Sequence, residues 1–140
     1  MGCPKAIFFK LGKVLSADGL IDDDPSLFQS LRIEAEAQAK RESTFFNLDN
    51  IYRHFKCLYP SLKIPTDSIS GQELLLEKKI CTPNPDILGK IDIARNRGHQ
   101  IAHVSDMYLP KSFIKDLLIE NGIMKKGDLL YVSNHDKAAK

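Results

Sequence analysis

The stretch that decides the fold reads His103-Val104-Ser105-Asp106-Met107-Tyr108-Leu109-Pro110. Its first part continues a short apolar run, Gln100–Ser105, which predicts a buried strand. A helix is predicted to follow from Pro110 to Gly122, and Asp128–Ser133 predicts a second buried strand. A strand, a helix and a strand within about 30 residues form a βαβ unit, whose strands run parallel.

A third strand is predicted near the N-terminus. Lys5–Leu11 is short and apolar with two aromatic residues, and Gly12 and Lys13 then break the pattern. Between this segment and Gln100 the apolar spacing is helical instead. The order strand, block of helices, strand, helix, strand predicts an α/β fold with a short parallel sheet of about three strands.

Four helix starts are predicted between the first two strands. Asp24 is expected to cap a helix that has Pro25 at its first position, and Asn84 is expected to do the same before Pro85. A helix is also predicted over Leu48–Tyr59. Ser70 and Glu73 form a Ser-x-x-Glu pattern, which predicts a capping box at the start of the remaining helix.

Composition excludes several classes of function. The chain has 140 residues, with 20 basic and 18 acidic side chains and a net charge of +2. This balance gives no electrostatic support for a nucleic-acid or membrane-surface role. No apolar run approaches the roughly 18 residues of a spanning helix, and the first residues lack the apolar core of a signal peptide. Three widely spaced cysteines indicate reduced thiols, so a cytoplasmic location is expected.

The end of the strand before Asp106 is a candidate anion site. Ligands bind at the carboxyl ends of parallel strands. The Ser105 hydroxyl and nearby backbone N–H groups can donate to a phosphate there, helped by the dipole of the following helix. In the alternative interpretation Asp106 only caps the turn and Ser105 has no binding role. His135 follows the last strand and is expected near the same pocket.

The run Ser105–Pro110 resembles the second motif of one branch of the haloacid dehalogenase-like (HAD) superfamily, a branch found beside bacterial surface-polysaccharide glycosyltransferases. Phe28–Glu36 resembles a segment of that branch's helical cap. The resemblance spans about Ile7 to Lys140. It implies a Rossmann-like HAD core formed by residues 1–19 and 96–140, with an α-helical cap at 20–95 inserted after strand one.

The resemblance also assigns roles to individual positions. Phe9 stands at the family's nucleophilic Asp position and Leu11 at its general-acid position. Ser105, Asp106 and Lys140 correspond to phosphate-binding positions. The acidic fourth motif that holds magnesium in the family would lie beyond Lys140. A phenyl ring has no lone pair to attack phosphorus or to bind Mg²⁺, so we expect no bound metal and no cofactor.

Asp18 and the acidic run Asp22–Asp24 are alternative candidates for the nucleophile. They do not follow an apolar strand, and acidic residues before a helix start more often complement the helix dipole. The resemblance therefore predicts a HAD-like domain that has lost aspartyl-phosphate catalysis and acts as a binding or assembly module with a phosphate-friendly pocket.

Two other hypotheses stay open. One is a magnesium-dependent phosphatase for a phosphorylated small molecule, with its site completed by another subunit. The other is an interaction module of polysaccharide synthesis in which the pocket is a relic. In each case the predicted strand Ile7–Leu11 would have an open edge, and open edges attract other chains. We therefore expect a homodimer, a partner protein or a rearranged N-terminal segment at that edge.

Overall fold

The computed structural model describes residues 4–21 and 24–136. The chain divides between Ile80 and Cys81 into two compact units. We call the first the helical unit and the second, from Cys81 onward, the α/β unit. Within the described residues no helix is both long enough and apolar enough to cross a lipid bilayer.

The N-terminal segment is a helix, α1 (Pro4–Ala17), so the predicted strand over Ile7–Leu11 is wrong. The apolar spacing of one, three and four residues continues through Gly12 and places four side chains on one helical face. These side chains, between 0 and 3% exposed, are Ile7, Phe8, Leu11 and Leu15. The strand prediction ended the pattern at Gly12, whereas the helical period runs on to Leu15.

Three more helices complete the helical unit. They are α2 (Pro25–Glu42), α3 (Leu48–Leu58) and α4 (Thr66–Ile80). Helix α2 packs against α1 and α3, and α4 packs against α1 and α3. Because α1 packs with these helices, the observed units differ from the predicted grouping of residues 1–19 with residues 96–140.

Local capping signals account for two of these helix starts. The Asp24 carboxylate accepts a hydrogen bond of 2.8 Å from the Ser26 N–H, which confirms Asp24 as the predicted cap of α2. At the start of α3, the side chains of Asn47 and Asn50 each accept from the backbone N–H of the other at 2.9 Å. Such caps satisfy N–H groups that have no partner inside the helix.

The predicted capping box at Ser70 and Glu73 is wrong. Helix α4 begins at Thr66, so both residues lie inside it. The Glu73 carboxyl is fully buried and accepts a hydrogen bond of 3.0 Å from Arg32 Nε. The Ser70 hydroxyl donates to the Asp67 carbonyl at 3.0 Å. Glu73, which the Ser-x-x-Glu pattern predicted as part of a cap, therefore contacts Arg32, 41 residues away in sequence.

The α/β unit contains the predicted βαβ segment. Its elements are α5 (Pro85–Asn96), β1 (Ala102–Ser105), α6 (Lys111–Glu120), β2 (Leu129–Val132) and α7 (Ser133–Asp136). The two strands are parallel, as predicted, and their register pairs Ala102 with Leu129 and Ser105 with Val132. Asn84 caps α5 as predicted, accepting from the Asp86 N–H at 3.0 Å.

The predicted fold class is wrong. In the described residues the chain is mostly helical, and its sheet has two strands rather than about three, so a Rossmann-like HAD core is not formed. The missing strand is the segment that folds as α1. On β2 the side chains alternate, with Leu130 and Val132 buried and Tyr131 48% exposed.

Candidate functional site

The candidate site lies where the two parallel strands end. Ser105 is the last residue of β1, and Ser133 follows directly after β2. The Ser133 hydroxyl donates to the Ser105 carbonyl at 3.4 Å, and both residues are half-buried. The Ser105 hydroxyl accepts from the Met107 N–H at 3.2 Å. That bond uses a lone pair of the oxygen, so the hydroxyl proton is still able to donate to an anion.

The loop after β1 is held in place from both sides. Tyr108 and Leu109 are 8% and 3% exposed and anchor the loop in the core. The Asn134 side-chain amide donates to the carbonyls of Met107 and Leu109, at 3.0 and 3.3 Å. Asp106, between these anchors and Ser105, is exposed. The segment that sequence analysis singled out is therefore a fixed loop at the strand ends.

One ion pair supplies the charge near this loop. Lys111, the first residue of α6, places its Nζ 2.9 and 3.0 Å from the two carboxylate oxygens of Asp136. Asp136 also accepts from the Val132 N–H at 2.6 Å. The Lys111 hydrogen bond, followed by the Val132 N–H, holds the pKa of Asp136 well below its usual range. Asp136 is therefore a carboxylate at neutral pH and neutralises most of the charge of Lys111.

Sequence reasoning missed Lys111 and Asp136. The available signal was a lysine directly after Pro110, at a predicted helix start that follows a strand. Asp136 gave no comparable signal, because its partner is 25 residues away. His135, which was expected near the pocket, is exposed and places Nδ1 3.3 Å from Asp136 Oδ1.

The other predicted positions lie in the helical unit or outside the described residues. Phe9 and Leu11 lie on α1 in the helical unit, where Leu11 is fully buried and the Phe9 ring has Lys13 Nζ 5.3 Å from its centroid. Phe9 is thus a position along a helix and not the end of a strand. Lys140 lies outside the described residues.

The described acidic residues among the alternative nucleophiles, Asp18 and Asp24, lie in the helical unit next to helix ends. Asp18 is exposed in the turn after α1, and Asp24 caps α2. Asp22 and Asp23 lie outside the described residues. Within residues 4–21 and 24–136, no three His, Cys, Asp or Glu side chains are grouped to hold a metal ion.

A second polar cluster joins α5 to the sheet. Asp128 Oδ2 accepts hydrogen bonds from Arg95 Nη2 at 2.7 Å and from the Lys125 N–H at 3.0 Å. His103 Nε2 lies 3.2 Å from the same oxygen. Burial raises the pKa of Asp128, but the hydrogen bonds from Lys125, His103 and Arg95 outweigh burial and hold that pKa below its ordinary value. Because Arg95 also forms an ion pair with this carboxylate, we interpret the cluster as a structural link between α5 and the sheet rather than as a His–Asp catalytic pair.

Comparisons with known proteins add no family to this description. No protein-family model matches the chain, and a search of curated proteins found no match. Membership of the HAD superfamily therefore stays a prediction, based on Ser105–Pro110 and Phe28–Glu36.

Proposed function

We propose that this chain is a binding module that holds the phosphate group of a small molecule at the carboxyl ends of β1 and β2, without hydrolysing it. The observation that carries this proposal is the convergence of Ser105 and Ser133. Ser105 ends β1 and Ser133 directly follows the parallel strand β2, and the Ser133 hydroxyl lies 3.4 Å from the Ser105 carbonyl. The Ser105 hydroxyl accepts from the Met107 N–H and keeps its proton to donate, and a donor at a strand end beside a helix start is suited to binding an anion.

Lys111 supports the proposal and also limits the affinity. It is the first residue of α6, and its side chain is 29% exposed. A phosphate that enters must share the Lys111 ammonium with Asp136, which already contacts it through both carboxylate oxygens. Displacing or sharing a charge-assisted hydrogen bond costs part of the binding energy. Weak binding of free phosphate is therefore expected, with the rest of the ligand adding contacts.

The absence of hydrolysis follows from how the carboxylates are used. Asp136 is engaged by Lys111 and by the Val132 N–H, which lower its reactivity as a nucleophile. The magnesium-dependent phosphatase alternative would need a carboxylate at this end of the sheet, and Asp106 is the exposed one.

Phosphate binding is tested by titrating the full chain with inorganic phosphate while recording backbone amide NMR shifts, with chloride replacing phosphate at equal ionic strength. We expect saturable shifts at Ser105, Ser133 and the start of α6. The variants Ser105→Ala and Lys111→Gln should weaken binding, the second by about tenfold, because it removes one charge-assisted hydrogen bond. Circular dichroism confirms that each variant is folded.

Lys126→Gln is the matched control, because Lys126 is an exposed lysine that precedes β2, at the opposite end of the strand. Equal losses in Lys111→Gln and Lys126→Gln would show only non-specific charge attraction, and shifts confined to other parts of the chain would contradict the proposed site. Incubation with p-nitrophenyl phosphate and Mg²⁺ should give no turnover. Turnover that Asp106→Asn abolishes would support the phosphatase instead.

Assembly is a second candidate function, favoured by the open face of the sheet. Val104, Leu129 and Tyr131 are 53, 44 and 48% exposed. Parallel sheets are normally covered on both faces, and each strand here has one neighbour in the described residues. The edge that was predicted at Ile7–Leu11 is not formed, so a homodimer or partner protein is proposed at this sheet instead.

A further inference from the structure

The helical unit contains a buried contact between an arginine of α2 and a glutamate of α4. Arg32 and Glu73 are both fully buried. Arg32 Nε and Nη2 lie 3.0 and 2.9 Å from the same carboxylate oxygen, Glu73 Oε1. The guanidinium is covered by the Phe8 ring from α1 and the Tyr52 ring from α3, with Cζ 4.3 and 5.4 Å from their centroids. Four helices therefore enclose this pair.

Two further carboxyl groups act on Glu73. Glu36, on α2, is one-third exposed and places Oε2 3.1 Å from Arg32 Nη1. Glu77, one turn after Glu73 on α4, is 6% exposed. Among the described groups with the strongest electrostatic effect on Glu73, Arg32 is positive and Glu36 and Glu77 are negative, while α1 and α3 present the aromatic rings of Phe8 and Tyr52.

The second carboxyl oxygen of Glu73 makes the ionised form costly. Glu73 Oε2 is buried and has no hydrogen-bond partner among the described residues. A buried carboxylate oxygen without a donor loses its hydration without compensation. Protonation removes the charge and so lowers that cost, and Arg32 still keeps Glu36 as a counter-ion. Burial, opposed mainly by the charge of Arg32, raises the pKa of Glu73 from 4.5 to about 7.

We propose that Glu73 is a proton-dependent fastener between α2 and α4, which holds the two helices together as a neutral acid and loosens them when it ionises. The direction follows from linkage. The folded form keeps its proton up to about pH 7, whereas an opened form releases it above about pH 4.5. Stability of the α2–α4 contact is therefore highest at acidic pH and falls as the pH rises towards neutrality.

Hydrogen exchange of the α4 amides in the full chain measures this opening directly. With proton-binding midpoints of about 7 in the closed form and 4.5 in the open form, the opening constant should rise about tenfold between pH 6 and pH 8. Glu73→Gln, which cannot ionise, should abolish most of this rise. Glu34→Gln is the matched control, because Glu34 is an exposed glutamate on the same helix as Arg32.

The difference between the chain and Glu73→Gln also removes the contribution of every other group, because those groups are present in both proteins. Equal pH dependence in the chain and in Glu73→Gln would overturn the proposal. If that variant does not fold, the carboxyl ¹³C shift of Glu73 in the unchanged chain decides. A midpoint near pH 7 supports the fastener, and a midpoint at or below pH 5 refutes it.

Discussion

Gly12→Ala tests the packing of α1 against α2 at a single atom. A Cβ at position 12 would lie 3.0 Å from the Pro25 carbonyl oxygen, 3.1 Å from Pro25 Cα and 3.2 Å from Phe28 Cβ. Two of these three atoms belong to the backbone at the start of α2, so they cannot rotate away. The substitution gains about 1 kcal/mol of helix propensity. Overpacking at such a contact costs about 1–3 kcal/mol. We therefore expect a net loss of about 1 kcal/mol in the free energy of unfolding.

Gly71→Ala is the matched control, because Gly71 lies inside α4 and an added Cβ there meets nothing within 4 Å. It should raise the free energy of unfolding by about 0.5–1 kcal/mol through helix propensity alone. Urea unfolding of both variants, monitored by far-ultraviolet circular dichroism, measures whether each substitution raises or lowers the free energy of unfolding. If Gly12→Ala stabilises the chain as much as Gly71→Ala does, α1 does not cross α2 at Gly12, and the described packing is wrong.

Two further predictions concern the α/β unit. Asp128→Asn should lower the free energy of unfolding by about 2 kcal/mol at neutral pH. Because a carboxyl with a lowered pKa loses its stabilising contribution as the pH falls, the variant's free energy of unfolding should also depend less on pH in the acidic range. An unchanged dependence in that range would contradict this prediction. Sedimentation equilibrium of the full chain should show self-association that Val104→Lys or Tyr131→Lys abolishes, whereas a monomer at every concentration would contradict a homodimer.

Features set by neighbouring residues were predictable from the sequence. Asp24 before Pro25 and Asn84 before Pro85 cap α2 and α5 as expected, because a cap depends on a hydrogen bond two residues away. The βαβ segment and its parallel strands were also predicted, since apolar runs and chain length determine them. These signals are local, and tertiary contacts did not override them.

Features set by distant contacts were not predictable in the same way. Glu73 has the sequence context of a capping box, but its carboxyl lies against Arg32. Lys111 and Asp136 are also distant in sequence and define the charge of the candidate site. The error at Ile7–Leu11 had a different cause. The helical spacing continues to Leu15, but a glycine inside an apolar run favours a break, whereas Gly12 lies at a close approach between two helices.

The loss of the predicted first strand changes the argument against catalysis more than the argument for binding. The inactive-enzyme hypothesis depended on Phe9 at a strand end, and α1 provides no strand end there. The binding proposal depends on β1 and β2, whose parallel pairing was predicted and is observed. Hydrolysis at these strand ends would still need a carboxylate as the nucleophile. Asp106 is exposed beside Ser105 at the end of β1, so Asp106→Asn is the variant that distinguishes binding from hydrolysis.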